Sequence, residues 1–137
     1  MAITTATAST PTGELDVTPV SAALGAEVRG LHLADAGPDD AERINALLVE
    51  HMVLFFPDQH LSQEEHIRFG AYFGTMEGHP NLKNPYTDRA ELFEIAASAG
   101  GIADEWHTDL TFRAAPALMS ILNMVECPDN GGDTMWT

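Results

Sequence analysis

Trp106-His107-Thr108-Asp109-Leu110-Thr111-Phe112 is the stretch on which the reading of this chain turns. His107 and Asp109 stand two residues apart, and in extended backbone side chains at i and i+2 project to the same face. An imidazole and a carboxylate then point into one space, which is what a metal ion requires of two of its ligands. One His and one carboxylate, completed by a second His from elsewhere, form the facial triad of non-haem Fe(II) oxygenases. Alone, His-x-Asp recurs by chance, and a hydrogen-bonded His beside a solvated Asp is the plainer reading of three residues. The surroundings decide between the two.

Downstream, Ala117 to Val125 reads as a strand, ended by the turn residues Pro128-Asp129-Asn130-Gly131-Gly132. Asp133-Thr134-Met135-Trp136-Thr137 follows, and Met135-Trp136 reads as the start of another strand. Upstream, Ser98 to Asp104 is a Gly-rich link and Leu92 to Ala96 a strand candidate. Thr75 to Asp88 is rich in Gly, Pro, Asn and Asp and reads as a loop. Long loops inside domains often carry function, and the polar residues with chemistry here are His79 and Lys83.

Further upstream the signals are those of a scaffold. Leu15 to Val20 alternates apolar and polar residues as a half-buried strand does, with Pro19 placing it at an edge or ending it. Ala26-Glu27-Val28-Arg29, between Gly25 and Gly30, is a second short strand that can pair with the first as an antiparallel ribbon. Gly37-Pro38-Asp39-Asp40 starts a helix, predicted over Pro38 to about Glu50, with Ala41, Ile44, Leu47 and Leu48 on one face. Met52 to Phe56 is wholly apolar and predicts a strand buried on both faces. Ser62 and Glu65 form a capping box opening a second helix that uses Ile67, Phe69, Ala71 and Phe73, with Gly74 as its stop.

The chain has 137 residues, enough for one modest domain with a core of its own. Six basic residues against twenty-one acidic ones give a formal charge of −15. That balance argues against nucleic acid or an anionic membrane surface as partner, because a polyphosphate needs clustered Lys and Arg. It does not exclude a small anionic substrate, since a pocket's local charge can oppose the global one. No apolar run is long enough to span a bilayer. Residues 1–13 are small and polar, without the pattern of a secretory signal, and read as a disordered tail. Cys127 is the only cysteine, so no internal disulfide can form, as in a reducing, cytoplasmic setting.

Taken in order, these motifs resemble the TauD/TfdA family of Fe(II)- and 2-oxoglutarate-dependent dioxygenases, and most closely its taurine dioxygenase branch. The resemblance is carried by Leu24 to Val28, Val53 to Phe56 with Asp58-Gln59, Phe73-Gly74, His79-Pro80, Trp106 to Phe112 and Gly131 to Trp136. It implies that His107 and Asp109 are the first two iron ligands. It implies that Thr134 contacts a carboxylate of 2-oxoglutarate and that His79 contacts the substrate's anionic group. The taurine branch has a Tyr where Leu82 stands and an Asn where Ala103 stands. The substrate class is therefore kept broad: taurine, alkylsulfonates, sulfate esters and related small anions.

The resemblance further implies an α+β protein built on a double-stranded β-helix, a jelly roll with flanking helices. Residues 14–137 are expected to be the N-terminal part of one such domain. The family's second His ligand and its 2-oxoglutarate-binding Arg fall beyond the matched motifs, so the chain is expected to be an inactive first half. Fe(II) is the expected metal, with 2-oxoglutarate and O2 as co-substrates, succinate and CO2 as products and a small molecule as the substrate. Exposed strand edges are expected to favour self-association into a homo-oligomer. A non-catalytic interaction module derived from the same fold is the competing expectation.

Overall fold

The computed structural model describes residues 13–77, 89, 91–93, 95 and 105–137. The chain divides into two compact units, Met1–Gly74 with Met124–Thr137, and Thr75–Asn123.

In the first unit, strands β1 (Asp16–Pro19) and β2 (Ala26–Arg29) form the antiparallel ribbon that the alternation predicts, with Val17 opposite Val28 and Pro19 opposite Ala26. β1 is an edge strand and ends at its proline, which has no N–H to extend a ladder. Gly25 makes the turn between them possible. It sits at φ +90°, and a Cβ there would meet the Val20 side chain at 2.6 Å. Its N–H donates to the His51 carbonyl at 2.8 Å, which ties the ribbon to the end of the helix described next.

Helix α1 runs Pro38–His51. Asp40 opens it by accepting the Gly37 N–H at 3.1 Å, and Pro38 occupies a first-turn position where a missing N–H costs nothing. Ala41 and Ile44 are buried and Leu47 and Leu48 half-buried, so the predicted apolar face is the one that packs. The helix ends one residue beyond the predicted boundary. Met52 then takes a left-handed conformation, φ 64°, with its N–H bonded to the Leu48 carbonyl at 2.7 Å.

The run from Met52 to Phe56 departs from expectation. Only Leu54–Phe55 forms a strand, β3, which lies parallel to β2 with Ala26 opposite Leu54. It is not buried on both faces, since Leu54 is half-buried and Phe55 exposed. Met52 is spent on the helix cap, so the apolar run is shared between a cap and a two-residue strand. Phe55 meets the ring of Trp136 edge-on, centroids 5.8 Å apart. This contact belongs to 124–137, which otherwise forms no strand, contrary to the reading of Met135-Trp136 as a strand start.

Gln59 is a clamp. Its Oε1 accepts the Leu33 N–H at 2.9 Å, and its Nε2 donates to the carbonyls of Leu31 and Pro57, both at 3.1 Å. The short 3-10 turn Leu33–Asp35 is thereby tied to the segment after β3. Helix α2 runs Gln63–Gly70 with the predicted capping box: Glu65 N–H donates to the Ser62 hydroxyl at 3.3 Å, and Glu65 accepts the Ser62 N–H at 2.8 Å. It ends before Gly74, through two tighter bonds from Tyr72 to Phe69 and from Phe73 to Gly70. Phe69 and Phe73 stack edge to face at 5.2 Å. Ala26, Val28, Leu33, Ala36, Ala41, Ile44 and Phe69 make the buried core among the described residues.

What the described residues contain is a small mixed sheet, order β1-β2-β3, with two helices. Three strands are too few to define a double-stranded β-helix. Among the described residues two further predicted strands are not found. Leu92, Phe93 and Ile95 are in none, and neither is any residue of 117–125. In the latter, half-buried Met119, Ile121 and Asn123 still alternate with exposed neighbours. A period-two pattern tells which side chains share a face, whereas a ladder also requires a neighbouring strand in register. No described helix is long and apolar enough to cross a membrane.

Candidate metal centre

In the second unit the chain brings His107 and Asp109 together, with Nε2 and Oδ1 3.3 Å apart. The convergence does not come from a strand, as none is assigned here. It comes from a turn: the chain bends at Asp109, and Leu110 lies in the left-handed region at φ 55°. Two local bonds brace this turn. The hydroxyls of Thr108 and Thr111 are 2.7 Å apart, and the Arg113 N–H donates to the Leu110 carbonyl at 3.1 Å. The Arg113 guanidinium is in turn ion-paired with Glu77, upstream of the 78–88 stretch.

His107 Nδ1 lies 2.7 Å from the backbone carbonyl of Glu105. A carbonyl can only accept, so Nδ1 carries the proton and the neutral ring keeps its lone pair on Nε2. That lone pair faces a carboxylate oxygen. Two electron-rich atoms held this close call for a shared cation, either a proton on the ring or a metal ion. Donors bonded at about 2.1 Å to one ion at a right angle stand about 3.0 Å apart. The donor set, the tautomer and the spacing therefore fit a divalent metal. A ring nitrogen anchored on a backbone carbonyl is also the usual support of a metal-binding His. Both side chains are open to solvent, 53 % and 70 % exposed, so the pair is accessible.

Thr134 belongs to the first unit, exposed, two residues before the Trp136 that contacts Phe55. His79, with Lys83, Leu82 and Ala103, lies outside the described residues. Among the described residues no group of three or more His, Cys, Asp or Glu is gathered for a metal. Three contributors escaped the sequence reading. The Glu105 carbonyl is backbone and leaves no residue signal. Thr108 and Thr111 did leave one, a pair of hydroxyls three residues apart around a bend, which is the spacing of a turn.

The chain belongs to the taurine catabolism dioxygenase TauD, TfdA family, whose model matches residues 16–137. Among similar proteins, an alpha-ketoglutarate-dependent sulfate ester dioxygenase of Pseudomonas putida is 40% identical over 126 residues, 90% of this chain and 41% of that protein. An alkylsulfatase of Acinetobacter baylyi is 37% identical over 129 residues, 92% of this chain and 40% of that protein. The chain thus spans about two-fifths of the length of these two relatives. A solved taurine dioxygenase from Burkholderia xenovorans superposes with a TM-score of 0.49 at 35% identity, covering 56% of this chain and 28% of that one.

Proposed function

We propose that the complete gene product is an Fe(II)- and 2-oxoglutarate-dependent dioxygenase that hydroxylates a small organic anion of the sulfate ester, alkylsulfonate or taurine type. The observation that carries this reading is the His107–Asp109 pair, 3.3 Å apart with the ring tautomer set by Glu105, inside a family match that spans both units. His107 Nε2 and Asp109 Oδ1 would hold the metal as two of its three protein ligands. When bound, Fe(II) supplies the redox chemistry that couples oxidative decarboxylation of 2-oxoglutarate by O2 to hydroxylation of a C–H bond, with release of succinate and CO2.

This chain's residues supply orientation. The Glu105 carbonyl keeps the His107 proton on Nδ1 and so keeps Nε2 free to ligate. Thr134 offers a hydroxyl donor for a carboxylate of 2-oxoglutarate, and His79 a donor for the substrate's anionic head. In a chain of charge −15 such local donors are what an anionic substrate would need. The relatives named as a sulfate ester dioxygenase and an alkylsulfatase favour sulfate esters as the first class to test. The jelly roll, with 14–137 as part of one domain, belongs to the same proposal.

The test is succinate formation by the complete gene product with Fe(II), 2-oxoglutarate and O2 against alkyl sulfates, alkylsulfonates and taurine. Succinate rising in step with substrate loss for one class supports the reading. Absence of 2-oxoglutarate-dependent turnover with every class, in a sample that binds metal, overturns it in favour of a non-catalytic module.

A further inference from the structure

We propose that Thr108 and Thr111 act together as a positioning pair, a hydroxyl strap that aims Asp109 at His107. The inference rests on the reading of those two residues as metal ligands. Its ground is the turn between them. Leu110 is a branched residue at φ 55°, a conformation that persists only where its surroundings hold it. The strap spans that residue, one hydroxyl on each side, at 2.7 Å. Asp109 lies inside the strapped segment, so its side-chain direction is set by the same bend.

The strap is not there to satisfy buried groups. Both threonines are exposed, and water could serve either hydroxyl. An exposed hydrogen bond of this kind contributes little net stability. Its effect is therefore on geometry: with the strap cut, the bend relaxes, the carboxylate swings away from Nε2 and the two donors no longer share one ion. Neither hydroxyl needs to touch metal, substrate or co-substrate for this. Because the two act as one bond, losing either should equal losing both.

The experiment is titration of the complete gene product with Co(II) alone, followed by visible absorption, beside urea unfolding of each metal-free variant. Thr111→Val keeps shape and removes the hydroxyl, Thr108→Val does the same on the other side, and Thr111→Ser restores the hydroxyl. Expected are unchanged unfolding midpoints, Co(II) binding weakened about 10- to 100-fold in both valine variants, no further loss in the double variant and rescue by serine. Wild-type affinity in Thr111→Val, loss persisting in Thr111→Ser, or additive losses in the double variant would each overturn the pairing. Should Thr111→Val unfold early, Thr108→Val and the serine variant decide. His107→Ala separates the two levels: if it binds Co(II) as the wild type does, the ligand assignment itself has failed and the strap falls with it.

Discussion

Residues 13–74 and residues 105–123 are built by different means. The first segment holds every assigned helix and strand among the described residues, and all the buried apolar side chains that form its core. The second has neither helix nor strand, leaves Trp106, Phe112, Leu118 and Leu122 exposed, and is shaped by bonds between near neighbours. Apolar burial therefore organises one segment, and a turn with locally anchored side chains organises the other. The lesson is a division of labour. Changes in the first should move stability and leave the His107–Asp109 pair intact, while changes in the second should do the reverse.

The sharpest way to break that division is at the pair itself. His107→Ala or Asp109→Ala is expected to cut 2-oxoglutarate turnover of the complete gene product by about a thousandfold or more, about 4 kcal/mol of barrier. The urea midpoint should hardly move, because both side chains face solvent. A variant that unfolds easily but still turns over would invert the comparison. Next in size is the core. Phe69→Ala empties a buried site against Phe73 and should cost about 3–5 kcal/mol of stability, with Co(II) affinity of the folded protein unchanged. A loss of metal affinity there would show that the two segments are coupled.

Gln59 gives a smaller and more specific effect. Its amide bonds three backbone groups of Leu31, Leu33 and Pro57. Gln59→Ala leaves those groups without their partner and should cost about 1–3 kcal/mol, read as a lower urea midpoint with unchanged turnover. Gln59→Glu keeps the acceptor for the Leu33 N–H but turns a carboxylate oxygen on the Leu31 and Pro57 carbonyls, so at neutral pH it should cost at least as much as Gln59→Ala.

Legibility in the sequence follows the range of the interaction. The β1–β2 ribbon, the start of α1 and the capping box of α2 were readable because alternation, Pro38 with its acidic neighbours, and Ser62 with Glu65 are local signals. His107 and Asp109 were readable as a pair for the same reason, two residues apart. The parallel pairing of β3 was not, because nothing in Leu54-Phe55 names β2 as its neighbour. The reach of Gln59 across 26 and 28 residues was equally invisible, as was the Trp136 contact on Phe55. At the site the departure was in mechanism: a spacing that suggested a strand is realised by a bend, because Leu110 takes the left-handed region.

The smallest predicted effect is also the one with a pH signature. The Ser62 backbone N–H, and then its hydroxyl, bond the Glu65 carboxylate and hold its pKa below the ordinary value, while burial opposes them. A carboxylate whose folded pKa is depressed stabilises the native state above its unfolded pKa, and that contribution is lost as pH falls through the folded value. Ser62→Ala removes the cap and should lower stability at neutral pH by about 1 kcal/mol. Glu65→Gln can still bond the Ser62 N–H through its amide oxygen but no longer titrates. Its unfolding midpoint should therefore fall less on acidification than the wild type's, and the two curves should converge below the carboxylate range. Equal acid slopes would mean that the Ser62 bonds seen at the start of α2 do not persist in solution. Because the box belongs to the scaffold, neither substitution should alter Co(II) binding, which sets the lower limit on how independent the two segments are.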